Sequence, residues 1–357
     1  MIKRESQLLS QIDSNSPRSP NTDTSHQSPS QDAEPIHSSD YVADVLGDGY
    51  EQLKLHFPND QQGQVIATLV RKKAEKSTSK AVIYIHGFID YFFQKEMAEQ
   101  FNQQGYDFYA LDLRKYGRSY LAHQDMFYVQ NLNEYDAEIS EALNIIVHEN
   151  HDAIVLSGHS TGGLITTLYA AHHPENQFIK ALWVNSPFYD FNMNIFKKKL
   201  ALPQLSKIGK RFPKLKFLSE LNKFYVTSLH RGLKGEWDFN LDWKPTQYPM
   251  VYLSFVHAIF EAQKEIHHGI QLNIPVMVMH SARTTYPRKF NHDAQSSDVI
   301  LNVKHISKYA KKIQGDVKII SIQDGLHDLI LSAQPVRAQV YHTLFEWLEQ
   351  KSKTFNT

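Results

Sequence analysis

Six short apolar runs, each about the length of a β-strand, divide this chain, and stretches with helical spacing lie between them. They read AVIYIHG (81–87), YDFYALDL (106–113), DAIVLSG (152–158), KALWVNSP (180–187), IPVMVMHS (274–281) and DVKIISI (316–322). An apolar run without polar alternation suits a strand covered on both faces. Strands that alternate with helices must be joined by right-handed crossovers. The expected fold class is therefore α/β, with a mostly parallel, doubly wound sheet and helices near 94–104, 131–149, 162–172, 299–312 and 335–351.

Two regions depart from that alternation. Ahead of the first run, YEQLKLHF (50–57) alternates apolar and polar residues. A turn over 58–63 then leads into GQVIATLVRKK (63–73), so the pair reads as an antiparallel hairpin. Between the fourth and fifth runs the sequence becomes Lys-rich and aromatic with no clear strand, which predicts an inserted helical cap over 188–268. Residues 1–40, rich in Ser, Gln, Pro, Asn and Asp, bury too little apolar surface to offset the entropy of ordering and are expected to be a disordered tail. The α/β core is then expected in two parts, 41–187 and 269–357.

Composition narrows the partners. Lys plus Arg and Asp plus Glu both total 38 among 357 residues, and no basic stripe appears, so a nucleic-acid partner is not expected. The absence of cysteine excludes disulfides and thiolate metal sites. The first residues lack the apolar run of a secretory signal, and no apolar stretch is long enough to span a membrane; the expected location is cytoplasmic. The lysines between 197 and 223 could touch anionic lipid, giving peripheral contact through the cap. Alternating with Leu, Phe and Ile, they read first as the solvated face of cap helices. The chain contains no signal for oligomeric state.

The third run leads into the residues that carry chemistry. Gly158, His159, Ser160, Thr161 and Gly162 fit G-x-S-x-G, with a strand before and a helix after, the context in which that motif presents a serine on a strained turn. The plain alternative is a Gly-rich turn that happens to hold a serine. His159 is expected to pack beside the turn and point away from Ser160. A serine hydroxyl needs a base, itself oriented by an acid, and on this fold the chain order is Ser, acid, His. His327 is the histidine between the last strand and the last helix, in DGLHDLILS. The acid should follow IPVMVMHS, where both Asp298 and Asp293 stand; Asp298 could instead be an ordinary helix N-cap. Backbone N–H groups of Thr161 and of Phe88, just after His86 and Gly87, are the candidates for an oxyanion hole, although His-Gly could simply make a turn. HENHD (148–152) spaces its histidines three apart rather than the four of H-E-x-x-H, so neither metal nor cofactor is expected.

Taken together, YIHGFIDYF, ALDLRKYGRS, SGHSTGG, an Asp ahead of a helix and GLHD resemble the α/β-hydrolase superfamily, in particular its lysophospholipase and monoacylglycerol-lipase-like (serine aminopeptidase-like) branch. By that resemblance Ser160 is the nucleophile, Asp298 the acid and His327 the base, with Phe88 and Thr161 supplying the oxyanion hole. The branch usually carries Asp-x-Arg-Gly-His-Gly-x-Ser. Here Asp112-Leu113-Arg114 continues Lys115-Tyr116-Gly117-Arg118-Ser119, a loop expected to brace the site and to affect substrate fit more than the reaction. The implied activity is serine-dependent hydrolysis of a small-molecule acyl ester, lipid-like or of medium chain. Two other readings stay open: a peptidase or amidase that grips a substrate terminus through Glu236 and Asp238, and a non-catalytic binding protein on the same scaffold. GEWDFNLDWKP (235–245), with two tryptophans, reads as cap packing or as a wall facing the acyl chain.

Overall fold

The computed structural model describes residues 40–218 and 222–353. The tail expected over 1–40 lies outside them except for Asp40. The hairpin forms from β2 (Glu51–Asp60) and β3 (Gly63–Lys72), with Leu53 opposite Leu69 and Leu55 opposite Ala67; the short β1 (Val42–Ala43) adds to β2. After β4 (Lys80–Ile85) the chain alternates α1 (Lys95–Gln103), β5 (Asp107–Asp112), α2 (Asp136–His148), β6 (Ala153–His159), α3 (Thr161–His172) and β7 (Ile179–Asn185). The cap region contains α4 (Leu202–Arg211), α5 (Phe224–Leu229) and α6 (Leu253–His268), and β8 (Val276–Ser281), α7 (Val303–Ala310), β9 (Val317–Ile322) and α8 (Gln334–Ser352) follow.

The nine strands lie in the order β1-β2-β3-β5-β4-β6-β7-β8-β9. Pairing is antiparallel from β1 to β5 and parallel from β5 to β9. Successive side chains of a strand point to opposite faces, and here both faces are apolar. Ala81, Ile83 and Ile85 of β4 join a cluster with Leu143 of α2, Leu164 of α3 and Ile259 of α6. Val82 and Tyr84 join the opposite cluster with Phe101 of α1 and Trp347 of α8. That two-sided burial is why these strands read as unbroken apolar runs.

Two boundaries differ from the sequence expectation. The helix expected from 131 begins as a 3-10 turn, Leu132–Tyr135, closed by a capping box between Asn131 and Glu134 before α2. The helix expected from 299 begins four residues later, at Val303, with Asn302 as its cap. In the cap region α4 buries Leu202, Ser206 and Gly209, spaced so that they share one face. α6 sends Ala258, Ile259, Ala262 and Ile266 into the same core cluster as the sheet and so makes the crossover from β7 to β8. Two-residue strands, Lys216–Phe217 and Val251–Tyr252, also pair there. Among the described residues no helix is long and apolar enough to cross a membrane.

Candidate active site

β4 is flanked by β5 on one side and β6 on the other, so the chain leaves the sheet centre in opposite directions. Ligands in open α/β sheets gather in the crevice at such a point, beyond the carboxyl ends of the strands. Ser160 stands at the end of β6, with φ 52° and ψ −113°, a backbone conformation that a residue with a Cβ adopts only under constraint. Its own N–H donates to the Asn185 carbonyl at 3.0 Å, while its carbonyl accepts from Phe188 at 2.9 Å, so the end of β7 and the residues after it hold the turn.

His327, in the loop after β9, places Nε2 3.0 Å from Ser160 Oγ and Nδ1 2.9 Å from Asp298 Oδ2. Both carboxylate oxygens of Asp298 are occupied: Oδ1 accepts the N–H groups of Ile300 and Leu301 at 2.8 and 2.7 Å, leaving Oδ2 for the imidazole. Asp298 therefore closes a turn ahead of α7 instead of capping the helix. Asp293, the other candidate, is half-buried and paired with Arg283 at 2.7 Å. Ser160, His327 and Asp298 are all buried. The arrangement can pass a proton from the serine hydroxyl to Nε2 while Nδ1–H stays on the carboxylate.

The loop from His86 to Gln94 lies beside the serine: a methyl group on Gly87 would come within 3.2 Å of Ser160 Cβ. His86 is a brace, its Nδ1–H donating to the Gly87 carbonyl at 2.8 Å and its Nε2 accepting Leu113 N–H at 3.1 Å. Among the described residues, neither Phe88 N–H nor Thr161 N–H donates to a protein acceptor. The Phe88 ring stacks on Phe255 of α6 with centroids 4.1 Å apart. The 112–119 loop supports the same segment, since Asp112 Oδ1 accepts Phe92 N–H at 2.9 Å and Arg118 Nη1 donates to the Phe92 carbonyl at 2.9 Å.

His159 packs beside His327, ring centroids 4.8 Å apart, and hydrogen-bonds the Asn185 carbonyl. Burial pushes its pKa well below the ordinary value, and the neighbouring His327 adds to this. A neutral His159 does not oppose positive charge forming on His327. Glu236 and Asp238 are paired with Arg337 and Arg231, at 2.6 and 3.8 Å, through exposed carboxylates.

A second buried layer, without a sequence signal, lies beside the triad. Asp328 accepts Asn185 Nδ2 at 2.7 Å, and Asp90 pairs with Lys244 at 2.6 Å. Burial raises the Asp328 pKa. Among the described residues, Asp90, His159 and Asp328 form the trio whose ligand atoms come within 4.8 Å of one another. The Lys244 ammonium on Asp90 and the Asn185 amide on Asp328 already engage those carboxylates, so the donor set suits a charge cluster better than a cation. No local pattern shows this, because the residues come from separate strand ends and loops, and none carries a spacing signal of its own.

His86, His159 and His280 are all held below the ordinary histidine pKa, chiefly by burial. The folded state keeps them neutral while the unfolded chain takes up protons, so stability is full above about pH 6.5 and falls as the pH drops below it. Each such histidine is expected to remove up to about 1.4 kcal/mol per pH unit. Urea midpoints at about pH 7.5 and 5.5 check this, and His159→Gln should lose less over that interval than wild type.

The sheet order, the serine turn at the end of β6 and the His–Asp pair from the loops after β9 and β8 define an α/β-hydrolase. More narrowly, the chain belongs to the serine aminopeptidase (S33) family, whose pattern matches residues 76–332. Among solved structures it is similar to a soluble variant of monoglyceride lipase from Saccharomyces cerevisiae in complex with a substrate analogue, at 15% identity and TM-score 0.61, covering 84% of this chain and 96% of that one. It is also similar to the monoacylglycerol lipase of Paleococcus ferrophilus (17% identity, TM-score 0.57, 84% and 99% covered). A third similarity is to Est1E of Butyrivibrio proteoclasticus with ferulic acid bound (16% identity, TM-score 0.52, 84% and 99% covered). At such identities the likeness establishes the shared fold. No curated protein matches the chain in sequence.

Proposed function

We propose that this protein is a serine hydrolase of carboxylic esters with lipid-like or medium-chain acyl groups. The observation that carries this reading is the continuous hydrogen-bonded chain from Ser160 Oγ through His327 to Asp298, buried at the carboxyl edge of the sheet. In the first step Ser160 Oγ bonds to the ester carbonyl carbon as its proton moves to His327 Nε2. Phe88 and Thr161 N–H groups hold the oxyanion. When the carbonyl re-forms, the bond to the alcohol oxygen breaks and the alcohol leaves with the proton from Nε2. Water then attacks the acyl-enzyme, giving its proton to Nε2; the carboxylic acid departs and Ser160 regains its proton. Asp298 keeps the imidazole in the required tautomer throughout.

Two features favour an apolar substrate. Phe127 and Phe255 pack on the ring of Phe88, the residue whose N–H is the proposed oxyanion donor. The cap also exposes Phe196, Leu200 and Leu218 at 76%, 70% and 76%, among Lys197, Lys199, Lys207, Lys210 and Arg211, with no acidic residue between 195 and 218. Such a surface suits an anionic lipid–water interface. The aminopeptidase alternative draws no support from Glu236 and Asp238, whose carboxylates are exposed and paired with arginines.

A panel of 4-nitrophenyl esters of increasing chain length, run beside amino-acyl amides, is the test. Medium-chain esters should turn over fastest, and fluorophosphonate labelling should disappear in Ser160→Ala. Faster cleavage of the amides would replace the ester reading with the peptidase one. Equal labelling of Ser160→Ala and wild type would remove it altogether.

A further inference from the structure

The oxyanion-side loop is held from two directions. On the core side Asp112 and Arg118 fix Phe92. On the cap side, the two-tryptophan segment 235–245 lies over the same loop. Phe239 packs on Phe93 with centroids 4.7 Å apart, Trp243 meets Tyr91 edge-on at 5.0 Å, and Asn240 N–H donates to Tyr91 Oη at 2.6 Å. At its centre Lys244 Nζ reaches Asp90 Oδ1 at 2.6 Å, the two side chains 3% and 2% exposed. The same segment also touches the loop of the base, since Trp237 Nε1 donates to the Leu331 carbonyl at 2.9 Å.

Between Asp90 and Phe88 stands Ile89, buried and with φ 54°. A β-branched side chain avoids that region, so the conformation persists only if its surroundings impose it. Asp90 is the adjacent anchor. With Lys244 withdrawn, its carboxylate would remain buried and without its cation, and a charge in that position costs more than the pair gained in forming. The loop would then be driven to turn Asp90 toward water, releasing Ile89 and moving Phe88 N–H.

We infer that Lys244 is a positioning residue for the oxyanion hole: by holding Asp90, the docked cap segment 235–245 keeps the strained Ile89 in place and Phe88 N–H beside Ser160, so cap docking and transition-state stabilisation are one event. This rests on the ester-hydrolase reading of Ser160. It adds that the cap has a part in the chemical step besides admitting substrate.

The test uses the full chain carrying Lys244→Met and, separately, Lys244→Met with Asp90→Asn. For each, kcat and KM are measured on the best ester of the panel, with the inhibition constant of an aryl trifluoromethyl ketone, which adds to a serine as a tetrahedral oxyanion, and the thermal midpoint. Lys244→Met is expected to lower kcat by about 10²- to 10³-fold with KM nearly unchanged, the loss typical of one oxyanion donor. Affinity for the ketone should fall in parallel. The double variant removes both charges of the Lys244–Asp90 pair and is expected to regain part of the thermal stability while its kcat and ketone affinity stay low. Recovery of activity together with stability in the double variant would overturn the inference, since the pair would then serve the fold alone. So would wild-type kcat in a folded Lys244→Met. Ser160→Ala, run alongside, separates the two failures: if it is inactive while both Lys244 variants match wild type, the positioning role fails and the ester reading stands.

Discussion

Asp298→Asn is expected to reduce kcat for ester turnover by about 10⁴-fold while leaving the protein folded. The size follows from how the two carboxylate oxygens are used. Oδ1 accepts two N–H groups of the turn, from Ile300 and Leu301, and an asparagine oxygen can go on accepting both. The amide NH2 then takes the place of Oδ2 and faces His327 Nδ1. Two donors cannot share that contact, so Nδ1 must become the acceptor and the ring proton moves to Nε2. In that tautomer Nε2 cannot take the Ser160 proton. Asp293→Asn, by contrast, disturbs a half-buried pair with Arg283 that does not reach His327 and should change kcat by less than about twofold. Steady-state kinetics on both variants, with urea midpoints as a check on folding, make the comparison. Equal losses in the two, or none in Asp298→Asn, would remove Asp298 as the proposed acid.

Gly162→Ala is expected to carry a large stability cost, about 3 kcal/mol or more. A Cβ there would lie 2.3 Å from the carbonyl oxygens of both Ile85 and His86 and 2.8 Å from the Ile85 carbonyl carbon. These are backbone atoms at the end of β4, so no rotamer change relieves the contact. The start of α3 would have to lift away from β4, separating Ser160 from the loop that carries Phe88. Gly163→Ala, whose nearest contact is Pro187 Cβ at 2.9 Å, should cost less. Urea unfolding of the two variants checks the order, and a Gly162→Ala protein within about 1 kcal/mol of wild type would contradict the close-approach argument.

Both predictions use residues that sequence order had already singled out, and the reason they were legible is local. G-x-S-x-G needs a strand behind it and a helix ahead, and DAIVLSG and the helical pattern after Gly162 are contiguous with it. The strands were legible because both faces of β4, β6 and β7 are covered, which leaves no polar alternation to confuse the reading. Helix starts were less clear. Val299 to Leu301 are apolar and look helical, yet they form the turn that Asp298 closes, and α7 waits for the Asn302 cap. A carboxylate before an apolar run has the same appearance whether it caps a helix or turns toward a histidine. Only the partner of its second oxygen separates the two cases.

The order of strands and helices, the hairpin before them, the interruption after β7, and the candidate serine, histidine and pair of aspartates were all legible in the residues alone. Those features are set by side-chain periodicity and turn chemistry within a few residues. The tertiary structure decided which oxygen of Asp298 faces His327, that Asp293 goes to Arg283 instead, and that Lys244, from a segment with no motif of its own, lies on Asp90. The reason is that pairing between distant loops depends on where the sheet edge and the cap bring them together. A charged residue in a loop shows its partner only after burial has removed water as the alternative.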